Sequence, residues 1–245
     1  MALLKGKTAV ITGGSTGIGL ATAQRFVEEG AYVFINGQSQ AELDAAVKEI
    51  GGNVTGVLGD GSGPGDRDRF YTAVADSGRG LDVVFANAAA IDIARIGEAT
   101  QVHLRKALPV LNAGGSLILN SSDTNAEGDG GIAVYAAILT ALRSLAHTWA
   151  SELRDRNVRV DVINPDGTVT PGINTLAWML DPGPDTAEEF ENYQRGIVPP
   201  ARHSTAEEVA SATVFLASDL SRFTTGANIP VDGDITQVAG HPALD

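Results

Sequence analysis

The chain has 245 residues, 43% of them hydrophobic, and carries a formal net charge of −13 with an isoelectric point near 4.6. This length and apolar content suit one large core, whereas the acidic balance disfavours the clustered Lys and Arg that a nucleic-acid backbone requires. The chain contains no cysteine, which excludes disulfides and thiolate chemistry, and its N-terminus is too polar for a signal peptide. We therefore expect a cytoplasmic location and no nucleic-acid partner.

Short apolar runs alternate with helical patterns along nearly the whole chain. The predicted strands, in chain order, are Thr8–Ile11, Tyr32–Ile35, Val54–Leu58, Leu81–Ala86, Ser116–Leu119, Val158–Ile163 and Asn228–Val231. The predicted helices are a segment that ends at Gly30, then Glu42–Ile50, Asp66–Ala75, Val102–Leu111, Ile132–Leu153 and Ala206–Leu216. This alternation predicts an α/β fold with a doubly wound parallel sheet, a Rossmann-type single domain over residues 1–245.

Residues 165–200 interrupt the alternation and are rich in Pro, Gly and Asp. We interpret this segment as a lid, because long irregular loops in compact domains often close over substrates. The longest apolar stretch, Ile132 to Leu142, is too short to span a bilayer, so we expect no membrane role. The four histidines show no metal-ligand spacing, and no metal site is predicted.

The first strand leads directly into a glycine-rich turn and a helix. Backbone N–H groups and the positive end of a helix dipole meet in such a unit, and a pyrophosphate can bind there. Gly13 allows a sharp turn, Gly17 lets the backbone approach the phosphates, and Gly19 lets the helix pack closely on the strand. The turn therefore predicts a dinucleotide site formed by Gly13, Ser15, Thr16, Gly17, Ile18 and Gly19.

The spacing Thr-Gly-x-x-x-Gly-x-Gly, about ten residues from the N-terminus, resembles the short-chain dehydrogenase/reductase family. The resemblance extends over nearly the whole chain through residues that follow successive strands: Asp60, Asn87-Ala88-Ala89, Ser122, Tyr135, Asn164-Pro165 and Val231-Asp232-Gly233. It implies an NAD(P)-dependent oxidoreductase that acts on a carbonyl or alcohol group of a small-molecule substrate. It also implies a homo-oligomer, a dimer or a tetramer.

The resemblance implies catalytic roles for two residues that lie thirteen positions apart, Ser122 and Tyr135. Tyr135 would pass a proton to or from the substrate oxygen, and Ser122 would hold that oxygen by a hydrogen bond. Contacts to the cofactor are expected, by the same resemblance, from Asp60, Asn87, Ala88 and Pro165.

The end of the second strand, Asn36-Gly37-Gln38-Ser39, bears on the choice of cofactor. It offers neither an acid for the 2′-hydroxyl of NAD nor an arginine for the 2′-phosphate of NADP. Because no acid is present to repel a phosphate, and because Asn36 and Ser39 are polar, the sequence slightly favours NADP over NAD. Gln38 and Ser39 are the candidate contacts to this part of the cofactor.

Three departures from the family pattern affect the catalytic region. The family has a lysine one helical turn after the tyrosine, and this chain has Leu139, which can neither lower a tyrosine pKa of about 10 nor hold a ribose. Only 35 positions separate Asn87 from Ser122, so the segment that carries the family's catalytic asparagine is missing. Asp166 replaces a glycine that lies beside the nicotinamide in the family.

These departures leave two alternatives open beside an oxidoreductase of impaired activity. A non-redox enzyme on the same fold, such as a lyase or a cyclase, could use Asp166 with Asp123 and Tyr135 as an acid-base set. A non-catalytic protein that binds a dinucleotide is the other alternative, and the loss of the lysine at Leu139 motivates it.

Overall fold

The computed structural model describes residues 2–60, 63–87, 105–122, 133–171, 192, 195–196 and 198–234, with the backbone alone at 133–135. Its strands are β1 (Thr8–Ile11), β2 (Tyr32–Gly37), β3 (Val54–Leu58), β4 (Leu81–Ala86), β5 (Leu111–Asn120), β6 (Arg159–Pro165) and β7 (Asn228–Val231). Its longer helices are α1 (Gly17–Glu28), α2 (Gln40–Ile50), α3 (Pro64–Asp76), α4 (Ala133–Glu152) and α5 (Ala206–Ala217).

The seven strands form one parallel sheet in the order β3-β2-β1-β4-β5-β6-β7. The chain moves outward from β1 to β3 and then returns to place β4 on the other side of β1, so the strand order reverses between β1 and β4. In an open α/β sheet this reversal leaves a crevice at the carboxyl ends of the strands, where ligands bind. The α/β class and the doubly wound parallel sheet are confirmed.

Two apolar clusters cover the two faces of the sheet. One includes Phe26 of α1, Ile35 of β2 and Leu216 of α5. The other includes Phe70 of α3 and Leu117 of β5, with Trp149 of α4 packed against it. Strand β1 is buried along its whole length, as expected for a central parallel strand with helices on both sides. The carboxyl end of β1 is therefore held firmly, and the glycine-rich turn begins there.

The predicted helix Val102–Leu111 is wrong at its C-terminal end. Within its described part only residues 105–107 are helical, and Leu111 begins β5 by pairing with Leu81 of β4. A short apolar run fits a helix or a strand equally well, so pairing with a distant strand decides between them. Residues 102–104 and most of the proposed lid, residues 172–191, lie outside the described residues. The start of β5 was also predicted five residues too late. All other predicted element boundaries that fall on described residues lie within two residues of the observed ones.

Asp161 of β6 is a fully buried carboxylate. Its Oδ1 accepts a hydrogen bond from the backbone N–H of Ala227 at 3.0 Å, and its Oδ2 lies 3.5 Å from Nη1 of Arg159. Arg159 also donates to the carbonyl of Leu216 at 2.7 Å. Burial raises the pKa of Asp161 to about 6, although the Ala227 amide and the Arg159 charge both act to lower it. The pair joins β6 to the end of α5 and to the segment before β7.

We expect Asp161→Asn to remove a pH dependence of stability. The folded-state pKa of about 6 exceeds the ordinary value of 3.8, so the stabilisation from the bound proton is complete below ~pH 4 and is lost as the pH rises through 6. Urea denaturation at ~pH 4 and ~pH 8 should show that the unaltered chain loses about 3 kcal/mol more unfolding free energy than the variant. Asp155→Asn, at a carboxylate that is 90% exposed, is the control and should keep the pH dependence. Equal pH profiles for Asp161→Asn and the unaltered chain would contradict the assignment.

Candidate dinucleotide-binding and active site

The glycine-rich turn between β1 and α1 has the conformation that its glycines predict. Gly13 and Gly17 have φ angles of +63° and +53°, in the left-handed region that side chains disfavour. Gly19 lies in the first turn of α1, where a Cβ would overlap the carbonyl oxygen of Gly13 and lie 2.7 Å from Nδ2 of Asn87. The turn therefore packs directly against the helix; Gly13 and Gly17 have conformations that favour glycine, and the packing at Gly19 leaves no room for a side chain.

The N-terminus of α1 is open to an anion. Thr16 occupies the N-cap position, but its side chain makes no capping hydrogen bond, and the first turn contains no acidic residue. The first N–H groups of a helix have no acceptor within the helix, and the dipole places partial positive charge there. Acidic side chains occupy the same position in α2, α3 and α5, as Glu42, Asp66, Glu207 and Glu208. The start of α1 thus lacks the negative charge that compensates those three helices.

Side chains from two neighbouring strands hold the turn in place. Asn36 of β2 accepts from the N–H of Gly13 through Oδ1 at 2.8 Å and from the N–H of Gly14 through its carbonyl at 3.0 Å. Asn87, which follows β4, donates Nδ2 to the carbonyls of Thr12 and Gly13 at 3.0 and 3.3 Å. The first amides of the turn are thus satisfied within the protein. The amides that remain for a phosphate are those farther along, at the beginning of α1.

The residues after β2 and β3 meet at the edge where we expect the adenosine. Gln38 donates Nε2 to Oδ1 of Asp60 at 3.2 Å, and the hydroxyl of Ser39 caps α2. A Cβ on Gly37 would lie 2.6 Å from Oγ of Ser15, so a carboxylate at position 37 would require Ser15 to move. The structure thus brings Gln38 and Asp60 together, and it explains locally why the strand ends in glycine.

The candidate catalytic residues lie on the other side of the strand-order reversal. Ser122 is half-buried and lies two residues beyond the end of β5. Tyr135 is the third residue of α4, and the structure describes its backbone alone. Leu139 is 3% exposed and packs with Leu142, Ile138 and Leu145. The helix turn that follows the tyrosine therefore presents an apolar surface to its neighbours.

The loop after β6 continues this edge. Pro165 is the last residue of β6, and Asp166 donates its N–H to the carbonyl of Val231 at 3.2 Å while its Oδ1 accepts from Gly167 at 2.6 Å. Asp166 lines a surface pocket of about 220 Å³ at the carboxyl ends of β6 and β7. Ala88 and Asp123 lie outside the described residues, so the proposed set of Asp166, Asp123 and Tyr135 remains a prediction.

An ion pair bounds the same pocket. Arg202 binds Glu208 through two hydrogen bonds, of 2.8 and 2.6 Å. These bonds, with a further one from the N–H of Thr205, lower the pKa of Glu208 to about 2. Glu208 thus stays ionised over the range in which enzymes usually operate, and its charge is matched by Arg202.

Comparisons with known proteins agree with this geometry. A family model described as enoyl-(acyl carrier protein) reductase matches residues 13–106 and 98–236. The oxidoreductase asL5 of Sarocladium schorii is 37% identical, covering 96% of this chain and 98% of its own. The NADP-dependent (R)-specific alcohol dehydrogenase of Lentilactobacillus kefiri is 32% identical, covering 95% and 98%. A short-chain dehydrogenase from Burkholderia cenocepacia, solved in complex with NADP, is 27% identical with a TM-score of 0.82, covering 94% and 98%.

The chain belongs to the short-chain dehydrogenase/reductase family. It is an oxidoreductase of the NAD(P)-dependent type, as the resemblance implies. The two matched segments of the family model overlap at residues 98–106, within the interval from Asn87 to Ser122 that the sequence analysis found short. The family assignment therefore rests on both halves of the sheet.

Sequence reasoning missed three residues of this short-chain dehydrogenase/reductase. Asn36 was considered only for cofactor choice, and Asn120, which contacts Asn87, was not singled out. Thr170 was also missed. A Cβ added to Gly17 would lie 3.4 Å from the Cβ of Thr170, so the loop after β6 reaches the glycine turn. The positions of the two asparagines at strand ends were the available signal, since the carboxyl ends of parallel strands meet at one edge.

Two other kinds of site do not occur in the part of the chain that the structure describes. No group of three or more His, Asp or Glu side chains there could hold a metal ion. None of the helices there is both long and apolar enough to cross a membrane.

We expect Gly19→Ala to disrupt the glycine turn, because the added Cβ overlaps the carbonyl of Gly13 and cannot be accommodated without moving backbone. The variant should unfold at a temperature several degrees lower, by roughly 1–3 kcal/mol of stability, and should lose dinucleotide affinity. Gly65→Ala in α3 is the matched control, because a Cβ there meets nothing within 4 Å. Thermal unfolding of both variants checks this, and equal melting temperatures would show that the turn adapts.

Proposed function

We propose that this short-chain dehydrogenase/reductase interconverts a carbonyl and an alcohol on a small molecule, with NADP as the preferred cofactor and NAD as the alternative. The observation that carries the proposal is the uncapped, acid-free N-terminus of α1 behind a turn with two left-handed glycines and a third, Gly19, that leaves no room for a side chain. Support for NADP comes from the NADP-dependent relative and the NADP-bound neighbour, together with the lack of an acidic residue in Asn36-Gly37-Gln38-Ser39.

The chain offers a distinct group of residues for each part of the dinucleotide. The pyrophosphate would lie against Ser15, Thr16, Gly17, Ile18 and Gly19, where the amides at the start of α1 are available. The adenosine end would lie against Gln38, Ser39, Asp60, Asn87 and Ala88, and the nicotinamide end near Pro165. When bound, the cofactor supplies or accepts the hydride. Residues of the chain bind it, orient it and handle the proton.

The proton step is assigned to Tyr135 and Ser122. In the reductive direction the Tyr135 hydroxyl gives a proton to the substrate oxygen as hydride reaches the carbonyl carbon, and in the oxidative direction it takes that proton back. The Ser122 hydroxyl donates a hydrogen bond to the same oxygen and stabilises the charge that develops on it. In the chain, Ser122 follows β5 by two residues and Tyr135 belongs to the first turn of α4.

We also propose that the protein is a cytoplasmic homo-oligomer, a dimer or a tetramer. Phe223 is fully exposed and Leu220 is 65% exposed, and both lie between α5 and β7, close in sequence to the partly exposed Phe215 of α5. Exposed apolar groups that lie together on a surface favour association with another protein surface. The absence of cysteine supports a reducing compartment.

Tyr135→Phe tests the proposed function. Calorimetric titration with NADPH and NADH should show binding to the unaltered chain and equally to the variant, because only a hydroxyl is removed. Hydride transfer to a panel of ketones, followed by nicotinamide absorbance, should fall in the variant by about 100-fold or more, the usual contribution of a positioned proton donor. Equal turnover by both chains would contradict the role of Tyr135, and no dinucleotide binding at all would contradict the function.

The burial of Leu139 favours a second candidate, a protein that binds the dinucleotide without turning it over. An apolar side chain that is 3% exposed provides no positive charge to the helix face after Tyr135. A tyrosine with the ordinary pKa of about 10 is almost fully protonated near neutral pH, and a neighbouring cation is what would favour the tyrosinate that acts as a base. Binding without turnover in the unaltered chain would support this candidate.

Leu139→Lys is expected to raise turnover at neutral pH, because a lysine one helical turn after Tyr135 would favour the tyrosinate. The rate at about pH 7 should rise by tenfold or more and depend less on pH, with the rate profile measured between about pH 6 and 10. Leu139→Met, which keeps the volume without the charge, is the control and should give no gain. If lysine and methionine have the same effect, the missing cation does not limit the rate.

A further inference from the structure

A chain of side-chain amides crosses the carboxyl edge of the sheet from β5 to the glycine turn. Asn120, the last residue of β5, donates Nδ2 to Oδ1 of Asn87 at 3.0 Å. Asn87 in turn donates Nδ2 to the carbonyls of Thr12 and Gly13, and its backbone N–H donates to Oγ1 of Thr12 at 2.9 Å. The strand that precedes Ser122 is thus connected to the turn that precedes α1.

The orientation of both amides follows from their partners. The carbonyl oxygens of Thr12 and Gly13 only accept, so the group of Asn87 that faces them is its NH2. Its Oδ1 therefore faces Asn120 and has to receive the NH2 of that residue. Neither side chain can flip without losing a hydrogen bond. The two carbonyls thus orient Asn87, and Asn120 adds a third side-chain hydrogen bond that holds Asn87 in that orientation from the β5 side.

The amide of Asn87 also packs against the start of α1. A Cβ on Gly19 would lie 2.7 Å from Nδ2 of Asn87, so no free space separates the amide from the helix. A rotation of Asn87 would release the carbonyl of Gly13 and disturb the contact with Gly19 together. The geometry of the turn therefore depends on Asn87, and that of Asn87 on Asn120.

Asn120 has a feature that packing alone does not explain. Its Oδ1 is buried and has no hydrogen-bond partner among the described residues. A buried acceptor without a donor lowers stability, whereas a leucine of similar size would fill the space without that cost. The preceding residues of β5, Leu117, Ile118 and Leu119, are apolar and buried. A polar residue at this position therefore favours a role other than stability.

We propose that Asn120 is a positioning residue for dinucleotide binding, which acts through Asn87 and touches no cofactor atom. This inference rests on the proposed dinucleotide function. Without the Asn120 amide, Asn87 keeps its hydrogen bonds to the turn but loses the donor to its Oδ1, so its side chain is less firmly held and the amides at the start of α1 are less well ordered. A dinucleotide then binds more weakly because part of its binding free energy is used to order the turn.

Calorimetric titration with NADPH tests the proposal on the full chain. Asn120→Leu should raise the Kd about tenfold, as expected for one lost hydrogen bond, while the chain still folds and melts within several degrees of the unaltered chain. Asn120→Asp, which keeps the size, should weaken binding at least as much, since a carboxylate oxygen then faces the Oδ1 of Asn87. The double variant Asn87→Ala/Asn120→Leu should bind no more weakly than Asn87→Ala alone, because Asn120 acts only through Asn87.

Asn112→Leu is the matched control. Asn112 lies on the same strand and donates Nδ2 to Oδ1 of Asp82 of β4 at 2.8 Å, but at the opposite end of β5. The Kd of the Asn112→Leu variant for NADPH should stay within about twofold of that of the unaltered chain. Three results would overturn the positioning role while the dinucleotide function stands. The first is a Kd for Asn120→Leu within twofold of that of the unaltered chain, and the second is a variant that fails to fold. The third is a double variant whose loss of binding free energy equals the sum of the losses in the two single variants. If the unaltered chain binds neither NADPH nor NADH, both proposals fall.

Discussion

The hydrogen bond from the N–H of Gly13 to Oδ1 of Asn36 is the constraint on which the site depends. It holds Gly13, which has a left-handed backbone conformation just after β1, against the side chain of Asn36 on β2. The backbone carbonyl of Asn36 accepts from the N–H of Gly14 and holds the next residue in the same way. Backbone donors that were left free here would compete with the start of α1 for an anion. Because they are satisfied, the amides that stay available are those aligned with the helix axis, where the dipole adds to them.

This arrangement also reconciles an acidic protein with a site for an anion. The net charge of −13 repels phosphate at long range, but salt screens charges more than about 10 Å apart. At short range, the positions of individual acidic side chains determine whether a helix N-terminus attracts or repels an anion. Helix α1 lacks the first-turn acidic residues that α2, α3 and α5 carry. The acidic composition therefore bears on solubility and steering, whereas the local absence of acids at α1 bears on binding.

The fold and the conformation of the glycine turn could be predicted from the sequence, and the reasons differ by residue. Gly13, Gly17 and Gly19 were predictable because a left-handed backbone favours glycine at the first two and close packing excludes a side chain at the third. Leu111 was misassigned because an apolar run is consistent with both a helix and a strand, and only its pairing with Leu81 decides. Asn120 was missed because its role depends on one amide on another strand, 33 positions earlier in the chain.

The two halves of the site differ in how strongly the chain determines them. On the β1–β3 side, glycines, strand ends and side-chain amides restrain one another around the glycine turn. On the β4–β6 side, Leu139, Asp166 and the short crossover all depart from the family pattern, and they lie with the residues proposed for the proton step and the nicotinamide end. This asymmetry favours dinucleotide binding over hydride transfer as the property that the chain retains. The contacts of Asn36, Asn87 and Asn120 hold the glycine turn, so under the proposed function they bear first on dinucleotide binding.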